Sequence, residues 1–164
     1  MSSSERASVI VCLGALLALS ACGFRLQGSQ TFPEVMATTY IEAEDRYSEF
    51  YRGLRLALEQ GGVAVTDSVV AATAVLRIEQ DQTGRSVLTV SSRNVPTEYD
   101  VYYRITYSVW ADGAEILPSR SLTKRQDFTF DSTQVLGKSR EEEVLREAIA
   151  QDLVRQVAQQ LARL

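Results

Sequence analysis

Glu98–Asp112, EYDVYYRITYSVWAD, decides the fold. Its odd positions are Tyr99, Val101, Tyr103, Ile105, Tyr107, Val109 and Ala111, and its even positions include Glu98, Asp100, Arg104, Thr106, Ser108 and Asp112. Successive side chains of a strand point to opposite faces, so this period of two predicts a strand with one face in a core. Tyr102 and Trp110 are apolar exceptions on the other face. That face either meets a partner or is solvated around two isolated aromatics. Asp112–Gly113 then gives a two-residue hairpin signal, because these residue types tolerate the positive φ angles of a tight turn. The return strand runs from about Glu115 to Phe130, with Pro118 marking an edge or a bulge, since proline cannot donate to a ladder.

Upstream, Thr73 to Gln80 also alternates, with Ala74, Leu76 and Ile78 on one face and Arg77 and Glu79 on the other. Extended structure resumes at Val87–Ser91. The intervening Asp81-Gln82-Thr83-Gly84 is either a tight turn or a bulge in one long strand. Met36–Ala43 (MATTYIEA) reads as another strand. Tyr47, Phe50, Tyr51, Leu54 and Leu58 recur at helical spacing, with Asp45 as candidate cap and Gly61–Gly62 as the left-handed stop. Val63–Val65 reads as a stub of extended chain. Ser139-Arg140-Glu141-Glu142 resembles a capping box opening a last helix, whose buried stripe is Leu145, Ala148, Ile149, Leu153, Val157 and Leu161. The order strand, helix, three strands, helix predicts an α+β two-layer sandwich. Two helices pack on one face of a mostly antiparallel, mixed four-stranded sheet, in a single domain over 35–164.

The start of the chain has a different character. Val9–Leu19, VIVCLGALLAL, is almost purely apolar. Its eleven residues, at about 1.5 Å each in a helix, are too few to cross a hydrocarbon core about 30 Å thick. That length fits the apolar part of a secretory signal. Leu19-Ser20-Ala21-Cys22 resembles a bacterial lipobox: branched apolar, small, small, cysteine. This predicts a signal peptide over 1–21, a lipid attached at Cys22 and a tether over 22–34. An ordinary signal cleaved near Ala21, or a short buried helix, is the plainer alternative. Cys12 and Cys22 are the two cysteines, so loss of the leader and acylation of Cys22 leave neither a disulfide nor a free thiol. Several acyl chains anchor stably where one does not. Gly23, in place of an aspartate, resembles an outer-membrane sorting signal.

The net charge is −4, which gives no bulk attraction to nucleic acid. The chain has no histidine, which excludes Ser-His-Asp and Cys-His catalysis and histidine metal sites. No glycine-rich phosphate loop is present. Nothing arranges the acidic residues as a catalytic pair around a pocket. The reading is therefore of a protein that is not an enzyme and uses no cofactor or metal.

The chain resembles the lipopolysaccharide-assembly lipoprotein family, LptE, from CGFRLQG at Cys22 onward. The resemblance is carried by SSRNVPTEYDVYYRITYSV (91–109) and FTFDSTQVLGKSREEEVLREAIAQDLVRQVAQQL (128–161), with the lipobox and the element order. It implies an outer-membrane lipoprotein that plugs, and helps assemble, a large β-barrel (LptD-like) inserting lipopolysaccharide into the outer leaflet, and that binds lipopolysaccharide itself. It places the protein on its lipid anchor, facing the periplasm or inside the barrel lumen. It also implies that Arg93 and Lys138 bind lipopolysaccharide. Their chemistry is compatible: a planar guanidinium fork suits phosphate oxygens, and a lysine beside a helix N-terminus sits where anions are already favoured. The alternative is two ordinary solvated bases. The competing function is a free periplasm-facing accessory lipoprotein of a lipid-transport ABC system, or an activator of a cell-wall enzyme.

Overall fold

The computed structural model of the chain describes residues 30–129 and 135–164, with 135–138 traced by their backbone. The expected signal peptide and Cys22 lie outside the described residues, as does the tether before Gln30. The elements are β1 (Thr38–Glu42), α1 (Glu49–Gln60), β2 (Ala64–Thr66), β3 (Ala74–Val90), β4 (Pro96–Ala111), β5 (Ala114–Thr129) and α2 (Val135–Leu161). The sheet order is β2-β1-β3-β4-β5. β1 pairs in parallel with β2 and β3, while β3, β4 and β5 form an antiparallel meander.

The expected α+β sandwich is present, with both helices on one face, but the sheet has five strands where four were expected. The extra one is the stub after α1. Its three residues pair with Thr38–Tyr40 at the sheet edge, and so short a parallel ladder leaves almost no periodic trace in sequence.

β4 holds the centre. Val101, Ile105, Tyr107 and Val109 are fully buried, and Tyr103 and Ala111 nearly so. Against them α1 sets Phe50, Leu54 and Leu58, and α2 sets Ile149, Leu153, Val157 and Leu161. Tyr47 does not join the α1 stripe; it precedes the helix and is 85% exposed. Nor does Asp45 cap α1. Ser48 is the cap, accepting from the Tyr51 amide at 3.0 Å, while Asp45 accepts from the Tyr47 amide in the turn before it. Gly62 adopts φ +87° and ends α1 as expected. Met36 is buried from a short 3-10 turn, Glu34–Met36, rather than from β1. Phe32, in the preceding chain, packs against the core.

The interruption in β3 resolves as a bulge, and it falls before residue 81. Ile78 pairs with Tyr107, but Gln80 pairs with Thr106, so Glu79 is the extra residue. One extra residue reverses which side chains face which way. Leu76 and Ile78 face the helices on the near side; Asp81, Thr83 and Arg85 face them beyond it, opposite Ile105, Tyr103 and Val101. Glu79 is itself secured. The hydroxyls of Ser108 in β4 and Ser119 in β5 donate to its carboxylate at 2.6 and 2.7 Å, holding its pKa below the ordinary value. Ser119 follows Pro118, where β5 also shifts register, so Pro118 marks both an edge strand and a bulge. Gly84 continues the strand opposite Tyr102, and a Cβ there would lie 2.7 Å from the Tyr102 hydroxyl. Asp112 (φ 50°) and Gly113 (φ 77°) form the expected hairpin turn.

α2 differs from expectation at its start and along its stripe. It starts at Val135, so Ser139 lies inside the helix and the capping box does not form at its start. Glu142, the residue that would reach back, is instead taken by Arg85 and Arg146. Ala148 is exposed, and Ala150, Val154 and Ala158 widen the buried stripe toward α1. The two helices meet at Gly53, where a Cβ would lie 3.0 Å from Val154 Cγ2. Gly53→Leu is expected to push the helices apart and destabilise the fold by about 1–3 kcal/mol, the usual effect of overpacking. A urea midpoint at or above that of the unmodified chain overturns this account.

Candidate functional site

The far half of β3 is joined to the helices by polar contacts, and these set up the end of the molecule where Arg93 and Lys138 lie. Asp81 receives the hydroxyl protons of Ser48, the α1 cap, and of Tyr103 in β4. Burial, with the adjacent Asp81 carboxylate, pushes the Tyr103 hydroxyl far above its ordinary pKa. Four residues on, Arg85 pairs with Glu142 at 2.9 Å and stacks on the Tyr99 ring at 4.8 Å. Glu142 is buried and also pairs with Arg146. At the other end of α2, buried Tyr107 donates to Gln160, its own pKa pushed up to about 12 by burial. These two contacts fix the direction of α2: its N-terminus points toward the β3–β4 hairpin.

Among the described residues, that hairpin runs past the last ladder pair with β5, Glu98 with Thr129. Its loop is closed by the Asn94 amide on the Ser91 carbonyl at 2.9 Å and the Ser91 amide on the Val95 carbonyl at 2.8 Å. Asn94 takes φ 62°, a conformation asparagine tolerates better than most residues. Arg93 sits in this turn, exposed and without an ion pair among the described residues. It is the one charged residue between Arg85 and Glu98. Around it Val87, Leu88, Val90 and Val95 are each 45–51% exposed. In the sequence this stretch reads only as resumed extended structure, which does not single these four out.

Lys138 lies in the first turn of α2, and its side chain lies outside the described part of the structure. The Glu98–Thr129 pairing and the Arg85–Glu142 ion pair put the loop carrying Arg93, the end of β5 and the first turns of α2 at one end of the sheet. They stand at different depths, however. Lys138 is four helical residues beyond Glu142, roughly 6 Å. Arg93 is eight residues beyond Arg85, at most roughly 26 Å of extended chain. Two such positions suit separate anionic groups of one large ligand rather than a single group.

The helix-free face is largely occupied by its own side chains. Arg125 lies over Tyr102 at 5.4 Å and Arg77 over Trp110 at 5.7 Å. Arg125 also pairs with the buried carboxylate of Asp100, and Arg77 with Glu42 at 2.8 Å. The two aromatics that the sequence leaves exposed are thus each covered by an arginine from a neighbouring strand. Between α1, β3 and α2 lies a cavity of about 320 Å³, lined by Asp45, Ser48, Glu49, Arg52, Asp81 and Arg146 among others. Its lining is ionic and does not suit a hydrocarbon chain.

The arginine–glutamate joint is open to test. Glu142→Ala strands Arg85 and Arg146, both partly solvated, and is expected to cost about 1–2 kcal/mol, below the figure for a fully buried pair. Amide exchange should quicken mainly in 85–98 and in the first turns of α2. Uniform acceleration across α1 and β1 argues against a local joint.

Comparison with known proteins agrees with this architecture. The LptE family, described as lipopolysaccharide-assembly, matches residues 36–161. The LPS-assembly lipoprotein LptE of Yersinia pestis is 28% identical over 150 residues, covering 91% of this chain and 70% of that protein. The crystal structure of rare lipoprotein B from Shewanella oneidensis superposes with a TM-score of 0.66 at 26% identity, covering 77% of this chain and 94% of that one. A lipoprotein B from Nitrosomonas europaea, solved in solution, superposes with a TM-score of 0.71 over 85% of this chain and 90% of its own; at 21% identity it speaks for the fold alone.

Proposed function

Because this chain belongs to the LptE family of lipopolysaccharide-assembly lipoproteins, we propose that it is anchored at the outer membrane through Cys22, seats as a plug in a large LptD-like β-barrel, and binds lipopolysaccharide through Arg93 and Lys138. The family serves assembly and is not one of enzymes.

The observation that carries the binding reading is Arg93 itself. Among the described residues, the arginines nearest to it in β3 and α2 are spent on internal pairs, Arg85 and Arg146 on Glu142, as are Arg77 on Glu42 and Arg125 on Asp100. Arg93 sits at the tip of the β3–β4 hairpin with no ion pair among the described residues. A guanidinium so placed offers its whole fork to a phosphate. Lys138, in the first turn of a long helix, adds a second positive charge where backbone amides also favour anions.

The plug reading is supported by the family and by a surface dense in charge yet paired within itself. Such a surface suits a water-lined lumen rather than lipid. Among the described residues, no helix is long and apolar enough to cross a membrane.

Two experiments decide between this reading and a free accessory lipoprotein. A tagged full-length chain, extracted from outer membranes in mild detergent, should co-elute with a single large barrel near one to one; recovery of the lipoprotein alone favours the accessory role. Arg93→Asp combined with Lys138→Asp should weaken lipopolysaccharide binding roughly tenfold or more, on the scale of two lost charge-assisted contacts, with an unchanged circular dichroism spectrum. Unaltered affinity in a folded double variant removes the phosphate contacts.

A further inference from the structure

We infer that the hairpin tip carries a second subsite beside Arg93: Val87, Leu88, Val90 and Val95 dock the acyl chains of the lipid whose phosphate the guanidinium receives. This rests on the lipopolysaccharide-binding reading above and extends it from the headgroup to the hydrocarbon.

Four aliphatic side chains, each about half exposed, cluster within nine residues of one hairpin. Single exposed aliphatics are ordinary on any protein surface, whereas a contiguous group marks contact with something apolar. The backbone is irregular here. β3 shifts register between Val87 and Thr89, and again between Thr89 and Val90. These bulges break the strict alternation that would turn every second residue toward the core. Among the described residues, the hairpin also runs past the last pair with β5.

The charge pattern selects the occupant. From Ser86 to Thr97 the chain reads SVLTVSSRNVPT, with one cation, no acid and several hydroxyls. One unpaired guanidinium on an aliphatic finger complements an amphiphile with an anionic headgroup and hydrocarbon tails. The cavity between the helices and β3 cannot take the hydrocarbon instead, because its lining is ionic.

The test titrates the full-length lipidated chain, immobilised by a C-terminal tag in mild detergent, with lipid A and with the same phosphorylated disaccharide after deacylation. The unmodified chain should bind lipid A roughly tenfold or more tighter than the bare headgroup, on the scale of several half-buried aliphatic side chains. Leu88→Asn with Val90→Thr and Val95→Thr should close that gap while leaving headgroup affinity unchanged. Arg93→Asp should weaken both ligands. If the gap is absent or survives the triple substitution, the acyl subsite is overturned, while a loss of headgroup binding in Arg93→Asp still upholds the phosphate contact. If Arg93→Asp alters neither ligand, the phosphate reading and the subsite fall together. If the triple variant keeps its lipid A affinity but loses the barrel, the surface belongs to the barrel wall and the inference is wrong. A lipid A bearing a photoreactive group on an acyl chain needs no variant: labelling within residues 86–97 supports the subsite, and labelling elsewhere overturns it.

Discussion

One extra residue in β3 organises the molecule. Up to Ile78, β3 contributes Ala74, Leu76 and Ile78 to the apolar core. With Glu79 inserted, the side chains facing the helices become Asp81, Thr83 and Arg85. Without the bulge these would point to the open face, and Gln80, Gln82 and Gly84 would face helices with which they form no ion pair. With it, Asp81 meets the cap of α1 and Arg85 meets Glu142 of α2. The bulge therefore converts one strand from hydrophobic packing to polar docking midway along its length. Ser108 and Ser119 hold it in place by donating to Glu79, so the register of three strands is fixed by one carboxylate.

The open face shows how the same sheet remains compact without a second layer. Its aromatics are covered by arginines, and those arginines are neutralised by acids on adjacent strands. Exposed cross-strand pairs contribute little stability individually. Their effect here is to cover the two rings with side chains of the same sheet, although the Trp110 indole N–H and one Asp100 oxygen stay buried without a hydrogen bond. At the hairpin tip the pattern inverts: Arg93 is unpaired and its neighbours are aliphatic.

The central architecture could be read before any coordinates because β4 alternates over its whole length and Asp112–Gly113 has a specific turn chemistry. The helix stripes at Phe50–Leu58 and Ile149–Leu161 were equally legible. What escaped has physical causes. Glu79 to Thr83 is an unbroken polar run, so a reversal of facing within it leaves no visible break in alternation. Asp45 and Ser48 are both capping residues; Ser48 prevails alongside a bond from its hydroxyl to Asp81, which is distant in sequence. The capping box at Ser139 gave way because its glutamate found two arginines. At the site, Arg93 and Lys138 came from family resemblance rather than from spacing. The aliphatics beside Arg93 read in sequence only as extended chain, because exposure is not encoded in so short a run.

The change of bonding along β3 also gives the molecule a direction. At the end where β1, β2 and β3 begin, the layers are joined by closely packed hydrocarbon, which added salt strengthens or leaves alone. At the hairpin end they are joined by carboxylates, hydroxyls and guanidinium groups, whose attraction weakens as ions screen it. The two ends therefore answer differently to ionic strength, although one hydrophobic core runs through both. A ligand arriving at the hairpin meets the part of the fold whose joints respond to ionic strength, with the hydrocarbon-packed end behind it.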